Sequence, residues 1–194
     1  MALRLAAANP VVSVTIADVY HVRDLADEFA VRSVPATIIN REIVLMGLVT
    51  EEQVAALIAG RGTLAYEKEG MRSMIKLGLM SRAAASIRNS RGGEAILSLF
   101  QEGDFSMRMG ALLVLEEVLG QDADSMRRMV PQLIEMLSHE DYRIRGDSAD
   151  LLGKIGDQRA IAHLDRLRND RHPEVVEAAV EGILMIRKDG KGHL

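Results

Sequence analysis

The stretch that decides the fold is Asp141-Tyr142-Arg143-Ile144-Arg145, which repeats the pattern of Asp104-Phe105-Ser106-Met107-Arg108 after 37 residues. Each copy places an acid, an aromatic residue, an aliphatic residue and an arginine ahead of apolar residues with helical spacing. A third copy begins 31 residues later at His172-Pro173-Glu174-Val175-Val176, where His172 replaces the acid and Val176 the arginine. Self-similarity at such a period indicates stacked helical repeats.

Shorter helical segments separate the copies, so each repeat is a pair of helices. These segments are predicted over Glu94 to Gln101, Pro131 to Ser138 and Arg159 to Arg168. A degenerate fourth repeat is predicted across Tyr66 to Asn89. Because one helix pair cannot bury its own apolar faces, each pair needs a neighbour. The sequence therefore predicts a helical array over residues 63–188, followed by a flexible tail over residues 189–194.

The charged residues of the repeated pattern have two interpretations. Asp104 and Asp141 can cap the helices that follow them. Arg108 and Arg145, one turn later, either form a ladder with acids or carbonyls of the neighbouring repeat or contact a binding partner. Both arginines are therefore candidate partner-binding residues. The third copy has no such arginine, which is typical of a terminal repeat with nothing stacked beyond it.

Residues 1–60 follow a different pattern. Val11 to Ile16 is a β-branched run of strand length. Val22 to Ala30 places apolar residues at i, i+3, i+4 and i+7, which predicts a helix. Two further strands, joined by a tight hairpin, are predicted over Thr37 to Asn40 and Glu42 to Met46.

A capped helix and a glycine-containing break end this front part. Thr50-Glu51-Glu52-Gln53 has the spacing of a capping box, with two acids in the first helical turn. Gly60-Arg61-Gly62 marks the predicted domain boundary. The predicted fold class is α/β plus all-α, in which a small α/β domain over residues 1–60 precedes the helical array.

The composition excludes several kinds of chemistry. The 194 residues contain no cysteine, so this chain has no disulfide framework, thiolate nucleophile or thiolate metal site. The formal net charge is −4 and aromatic residues make up 3% of the chain. Because nucleic-acid binding relies on basic surfaces and aromatic stacking, this composition disfavours a nucleic-acid partner.

One segment of the array resembles a known repeat family. Leu152-Gly153-Lys154-Ile155-Gly156-Asp157, followed by Ala160-Ile161, is similar to the LGxIGD-x-x-A-I signature of HEAT-like repeats. The resemblance covers about 90 residues and implies a solenoid. Such arrays serve as scaffolds, as protein-docking surfaces and occasionally in catalysis, so the resemblance itself does not specify a function.

The front part resembles thioredoxin and glutaredoxin-like domains. A Val34-Pro35 pair between a helix and a strand is similar to the cis-proline loop of that family. In that family the loop faces two reactive cysteines and pairs with the substrate backbone. The resemblance therefore makes Val34 and Pro35 candidate partner-binding residues.

The family's first strand and its Cys-x-x-Cys motif have no counterpart in this chain. Ala2 to Ala8 resembles the end of the helix that begins with that motif, so either the cysteines lie upstream of Met1 or they were lost and the fold remains as a docking platform. In the family, the missing strand lies between the strands that correspond to residues 11–17 and 36–40. We expect that these strands close up, that a partner strand fills the slot, or that the front part is poorly ordered.

These patterns predict a non-catalytic protein-interaction or scaffold module with the HEAT-like array as its docking surface. The alternative is a fragment of a thiol-disulfide oxidoreductase whose Cys-x-x-Cys lies upstream of the given start. No catalytic residue, metal site or cofactor is predicted, because metalloprotease histidine spacing, a Gly-x-Ser-x-Gly elbow and a phosphate loop are all absent from the sequence.

The expected partners are proteins, among them a second copy of the chain joined through the open sheet edge. No apolar run reaches the roughly 18 residues that would predict a membrane span. The sequence therefore predicts a cytoplasmic protein with no membrane contact.

Overall fold

The computed structural model describes residues 2–87, 90–102 and 104–189. The front part contains a short helix, a second helix, a hairpin and a third helix. Their bounds are α1 Ala2–Ala8, α2 Arg23–Glu28, β1 Ala36–Ile39, β2 Ile43–Met46 and α3 Glu51–Ala59. The predicted order of elements is confirmed except at the first predicted strand.

The helical array follows directly after the Gly60-Arg61-Gly62 turn. Its helices are α4 Leu64–Lys76, α5 Met80–Ser86, α6 Ser90–Phe100, α7 Phe105–Gln121, α8 Ala123–Met136, α9 Tyr142–Ile155, α10 Ile161–Arg166 and α11 Pro173–Asp189. Short 3₁₀ turns flank α10. The predicted fold class is therefore confirmed. Residues 88 and 89, at the end of the predicted fourth repeat, and residues 190–194 of the predicted tail lie outside the described residues.

The predicted strand over Val11 to Ile16 is wrong. Val11 is 89% exposed and Ile16 is 73% exposed. Within the described residues, the main chain of residues 13–17 makes no hydrogen bond. A β-branched run forms a strand only when a neighbouring strand supplies hydrogen-bond partners, and none lies beside this run in the described part of the chain.

The hairpin joins β1 and β2 in antiparallel register, with Ile39 opposite Ile43. Asn40 and Arg41 have φ of 51° and 62°, and the turn closes where Glu42 N donates to Ile39 O at 2.9 Å. The predicted tight turn is confirmed. Because Glu42 belongs to the turn, β2 begins one residue later than expected.

Side-chain caps begin the main helices of the array. Asp104 accepts a hydrogen bond from Met107 N at 2.7 Å, and Asp141 accepts one from Arg143 N at 2.9 Å. The capping box at Thr50 is also present. These caps satisfy main-chain donors that have no partner inside their helix, so Thr50, Asp104 and Asp141 fix where the helices that follow them begin.

The α8 helix begins earlier than predicted, at Ala123 rather than Pro131. Asp122 caps it through Ser125 N at 3.1 Å, and Pro131 lies inside the helix. Met126 and Val130 are completely buried on this first half of the helix. Burial of this apolar face outweighs the hydrogen bond that the proline ring removes.

Most apolar residues of the array form one continuous core. Many of its methionines are buried: Met71, Met74, Met107, Met126, Met129 and Met136. A smaller cluster joins the hairpin to α3 and α4 through Ile39, Ile43, Val54 and Tyr66. Since α4 contributes to both clusters, it connects the front part to the array. No helix of the described residues is long and apolar enough to cross a membrane.

Candidate functional site

The outer edge of β2 is covered by α4. Val44 N donates to Ser73 Oγ at 2.8 Å, and Ser73 Oγ donates to Val44 O at 2.9 Å. Both main-chain groups of Val44 therefore point away from β1. Ile38 lies directly opposite Val44. Because opposite residues of an antiparallel pair face the same way, the main-chain groups of Ile38 point away from β2.

The outer edge of β1 is open in the described residues. Along an antiparallel strand, the main-chain groups of successive residues point alternately towards and away from the partner strand. Gly47 N donates to Pro35 O at 2.8 Å, so Pro35 faces β2 and the main-chain groups of Ala36, like those of Ile38, point away from it. No described group hydrogen-bonds the main chain of Ala36 or Ile38 on that side. The chain therefore presents two outward N–H groups and two outward carbonyls, which is the template that an additional strand requires.

An apolar patch lies at the end of this open edge. Val34 is 65% exposed, Leu48 is 92% exposed, and Pro35 is also exposed. The hydrogen bond from Gly47 to Pro35 brings the two chain segments together. The peptide between Val34 and Pro35 is cis, as the resemblance to the thioredoxin family implied. Val34, Pro35 and Leu48 are here called the hairpin-end patch.

Arg82 on α5 holds the front part against the array. Its guanidinium donates to Glu28 O at 3.0 Å and to Arg41 O at 2.8 Å. Its central carbon lies 4.6 Å from the centroid of the Phe29 ring, and that ring is 1% exposed. Arg82 therefore joins α5 to both the end of α2 and the hairpin turn.

A cavity of about 420 Å³ lies between the hairpin turn, α4 and α5. Tyr66, in its wall, donates its hydroxyl to Glu42 Oε2 at 2.6 Å and accepts from Asn40 Nδ2 at 2.8 Å. The pKa of Tyr66 is raised to about 12, mainly by burial and secondly by the hydrogen bond to Glu42. The phenol therefore stays neutral and anchors the turn.

Arg145 links its repeat to the next one. Its Nε and Nη2 each donate to Asp170 at 2.8 Å, and its Nη1 donates to the main-chain carbonyls of His139 and Glu140. The side chain is 8% exposed. The hydrogen bonds from Arg145 lower the pKa of Asp170, so the pair stays ionised.

Arg108 occupies the corresponding position one repeat earlier and makes looser ion-pair contacts that are not hydrogen bonds. Its Nε lies 3.3 Å from Asp147 Oδ2 and its Nη1 lies 3.9 Å from Asp141 Oδ2. The Arg108 side chain is 4% exposed. Arg108 and Arg145 thus pair with acids across the repeat junctions, as the predicted ladder requires, and both side chains are buried. A partner-binding role for these two arginines stays a prediction.

A further rung of the ladder has no counterpart in the repeated sequence pattern. Arg72 on α4 makes two hydrogen bonds with Glu102, at 2.9 and 2.8 Å, and Lys68 Nζ lies 2.9 Å from the same carboxylate. These contacts, led by the Arg72 hydrogen bonds, lower the pKa of Glu102 to about 2. The signal that could have found it is charge complementarity between one face of α4 and the loop that follows α6.

The hairpin with its cis-proline loop and the laddered helix pairs define a class of protein that joins a thioredoxin-like part to a helical-repeat array. Comparison with known families agrees: residues 1–59 match the thioredoxin domain and residues 93–183 match HEAT repeats. The chain therefore combines a thioredoxin-like part with HEAT-like repeats. No curated protein matches the chain.

Proposed function

We propose that this chain is a non-catalytic protein-interaction module that adds an extended polypeptide segment as a strand along the outer edge of β1. One observation carries this proposal: the main-chain groups of Ala36 and Ile38 face outward without a hydrogen-bond partner in the described residues. Native proteins cover or pair such edges, because unpaired edges recruit other strands.

The main chain of residues 13–17 supports the same proposal. This run is rich in β-branched residues and carries exposed apolar side chains, yet no strand pairs with it in the described residues. The expectation that it closes up against β1 is not met. An added strand could therefore use β1 for its main-chain hydrogen bonds, since β1 already has strand geometry.

The hairpin-end patch determines which extended segments bind at the edge of β1. In strand addition, main-chain hydrogen bonds give affinity and alternate side chains of the added strand give specificity. Val34 and Leu48 lie at one end of the open edge. An apolar side chain at that end of the added strand can pack against them and become buried from water. We therefore expect a segment with alternating apolar and polar residues.

The array holds this edge in place. Ser73 covers β2, so an incoming strand cannot pair on that side, and Arg82 fixes the hairpin turn. A template whose conformation is already fixed costs less entropy on binding. The first two helices of the array, α4 and α5, thus act as the rigid support of the strand-binding edge.

Selection of peptides from a random twelve-residue display library on the whole chain tests the proposal. Ile38→Pro removes the outward N–H without removing a hydrogen bond between β1 and β2, since edge strands tolerate proline there. Ile38→Val is the matched control, because it keeps the N–H. We expect alternating sequences that bind the wild type and Ile38→Val and lose binding to Ile38→Pro. Peptides that bind Ile38→Pro equally well, or failure to recover any, would contradict the proposal.

The outward face of the array is a second candidate docking surface. Leu113 on α7 is 54% exposed and lies on the same face as Glu116, which pairs with Lys154 of α9 at 2.6 Å. An apolar side chain within such a charged surface suits one face of an amphipathic partner helix. If selected peptides bind Ile38→Pro but not Leu113→Ser, the array is the docking surface instead.

The oxidoreductase alternative depends on groups that these 194 residues do not contain. Thiol–disulfide exchange proceeds by attack of a thiolate on a disulfide sulfur. The chain has no cysteine, so the reaction needs both thiols from another polypeptide segment. The open edge of β1 is present without them, and for that reason we place binding first.

A further inference from the structure

The last helix of the array leaves one face uncovered. On its inner side α11 packs against α9 so closely that a Cβ added at Gly153 would lie 2.5 Å from Gly182 Cα. Because an α-helix has 3.6 residues per turn, the residues at positions 177, 180, 184 and 187 lie on the side opposite Gly182. We call Val176, Glu177, Val180, Leu184 and Arg187 the end face of the array.

The end face is apolar along its middle. Leu184 is 61% exposed, and Val176 and Val180 are half-buried. Spacing of four residues places these three side chains in one ridge along the helix. In the preceding repeat, the corresponding side of α9 is covered by α11. Terminal repeats of soluble arrays usually carry a polar outer face, so an exposed apolar ridge indicates a surface that a partner covers.

The charges of the end face are unpaired. Glu177 and Arg187 are exposed, and within the described residues neither side chain forms an ion pair or hydrogen bond. They differ in this from the charged groups at the other repeat junctions, where Arg145 pairs with Asp170 and Lys154 with Glu116. The absence of an arginine at Val176 ends the ladder at this face.

Four of the five residues of the end face are arranged symmetrically in the sequence about Gly182. Val180 and Leu184 lie two residues to either side of Gly182, and Glu177 and Arg187 lie five residues to either side. When two such helices pack antiparallel through their end faces and are centred at the height of Gly182, Val180 of each meets Leu184 of the other. The same crossing brings Glu177 of each helix beside Arg187 of the other. The face is therefore complementary to itself in both apolar contact and charge.

We propose that two copies of this chain associate through α11, with the two end faces packed antiparallel about a two-fold axis. A two-fold interface uses the same patch on both subunits, and so it requires the self-complementarity that Glu177 and Arg187 provide. The second copy occupies the position that a following repeat would take. This surface is separate from the open edge of β1, so the proposal does not depend on the strand-binding function.

Analytical ultracentrifugation of the whole chain over a concentration series tests the proposal. The wild type should show a reversible monomer–dimer equilibrium. Glu177→Arg alone, or Arg187→Glu alone, places like charges opposite each other at both ends of the interface and should weaken the dimer about tenfold. The double variant Glu177→Arg/Arg187→Glu restores opposite charges and should regain wild-type association.

Three further variants distinguish association through α11 from a general charge effect and from pairing at the edge of β1. Glu135→Arg makes the same charge change at an exposed position on α8 and should leave association unchanged. Leu184→Gln should weaken the dimer without changing its charge, and Ile38→Pro should not affect it. A monomer throughout the series, a double variant that stays as weak as the single ones, or a dimer lost in Ile38→Pro would each overturn the proposal.

Discussion

The Ser73 hydroxyl hydrogen-bonds both main-chain groups of Val44, accepting from its N–H at 2.8 Å and donating to its carbonyl at 2.9 Å. One side chain of the array therefore replaces the strand that would otherwise pair with β2. The opposite edge of the hairpin, along β1, has no such cover in the described residues. The edge of β1 is therefore the one at which the proposed partner strand would pair.

Substitution of Ser73 by alanine should destabilise the hairpin. Ser73 and Val44 are both buried, so the variant leaves a main-chain N–H and a carbonyl without partners. We expect a loss of about 1–3 kcal/mol in the free energy of unfolding, measured by urea denaturation. Ser106→Ala, at an exposed helical position, should change it by less than about 0.5 kcal/mol. Equal effects of the two variants would show that the contact with Val44 contributes nothing.

Arg145→Met should destabilise the array strongly. The variant leaves the carboxylate of Asp170, whose side chain is 8% exposed, without its cationic partner. We therefore expect the free energy of unfolding, measured by chemical denaturation, to fall by about 3–5 kcal/mol. Arg143→Met removes a guanidinium that is 45% exposed, so it should cost much less than Arg145→Met. Addition of Asp170→Asn to Arg145→Met should recover part of the loss. If the double variant is as unstable as Arg145→Met, the unpaired charge of Asp170 is not the cause of the loss.

Stability should fall in acid partly through Glu102. Its pKa is about 2 in the folded chain, below its ordinary value of 4.5. A carboxyl whose pKa is lowered by folding stabilises the fold above its unfolded pKa, and that contribution is lost as pH falls from about 4.5 towards 2. Glu102→Gln should therefore be less stable at neutral pH and show a shallower decline in urea unfolding across that range. An unchanged slope would contradict the role of Arg72 and Lys68 in holding the carboxylate ionised.

The chain alone should not reduce insulin disulfides with dithiothreitol as electron source beyond the rate of the reagent itself. The reaction requires a thiolate that cycles between reduced and oxidised forms, and the chain contains no cysteine. A cysteine-containing thioredoxin serves as the positive control in the turbidity assay. Any acceleration over the reagent would contradict the assignment of this chain as non-catalytic.

The features that the sequence predicted well are local or periodic. Asp104 and Asp141 indicate helix starts because a cap acts within three residues of itself. Arg108 and Arg145 could be placed in a ladder because their spacing repeats with the helices. The cis bond at Val34-Pro35 could be predicted only through the resemblance to thioredoxin-like domains, because most X-Pro bonds are trans.

The features that it did not predict depend on neighbours distant in the chain. Val11 to Ile16 has the composition of a strand but no strand beside it in the described residues. Composition cannot predict whether a neighbouring strand is present. The start of α8 was missed because Pro131 is a strong local signal for a helix start, whereas burial of Met126 is a tertiary effect. The contact between Ser73 and Val44 spans 29 residues and has no pattern in the sequence.

The most direct test of the open edge is amide hydrogen exchange of β1 residues, measured by NMR with and without a twelve-residue peptide selected on the whole chain. In the free chain the Thr37 N–H, which faces β2, should exchange slowly, while the Ile38 N–H should exchange close to the rate of an unprotected amide. On addition of the peptide, the Ile38 N–H should become protected and the Thr37 N–H should change little. An Ile38 N–H that is as protected as that of Thr37 in the free chain, or one that stays unprotected in the complex, would contradict strand addition at β1.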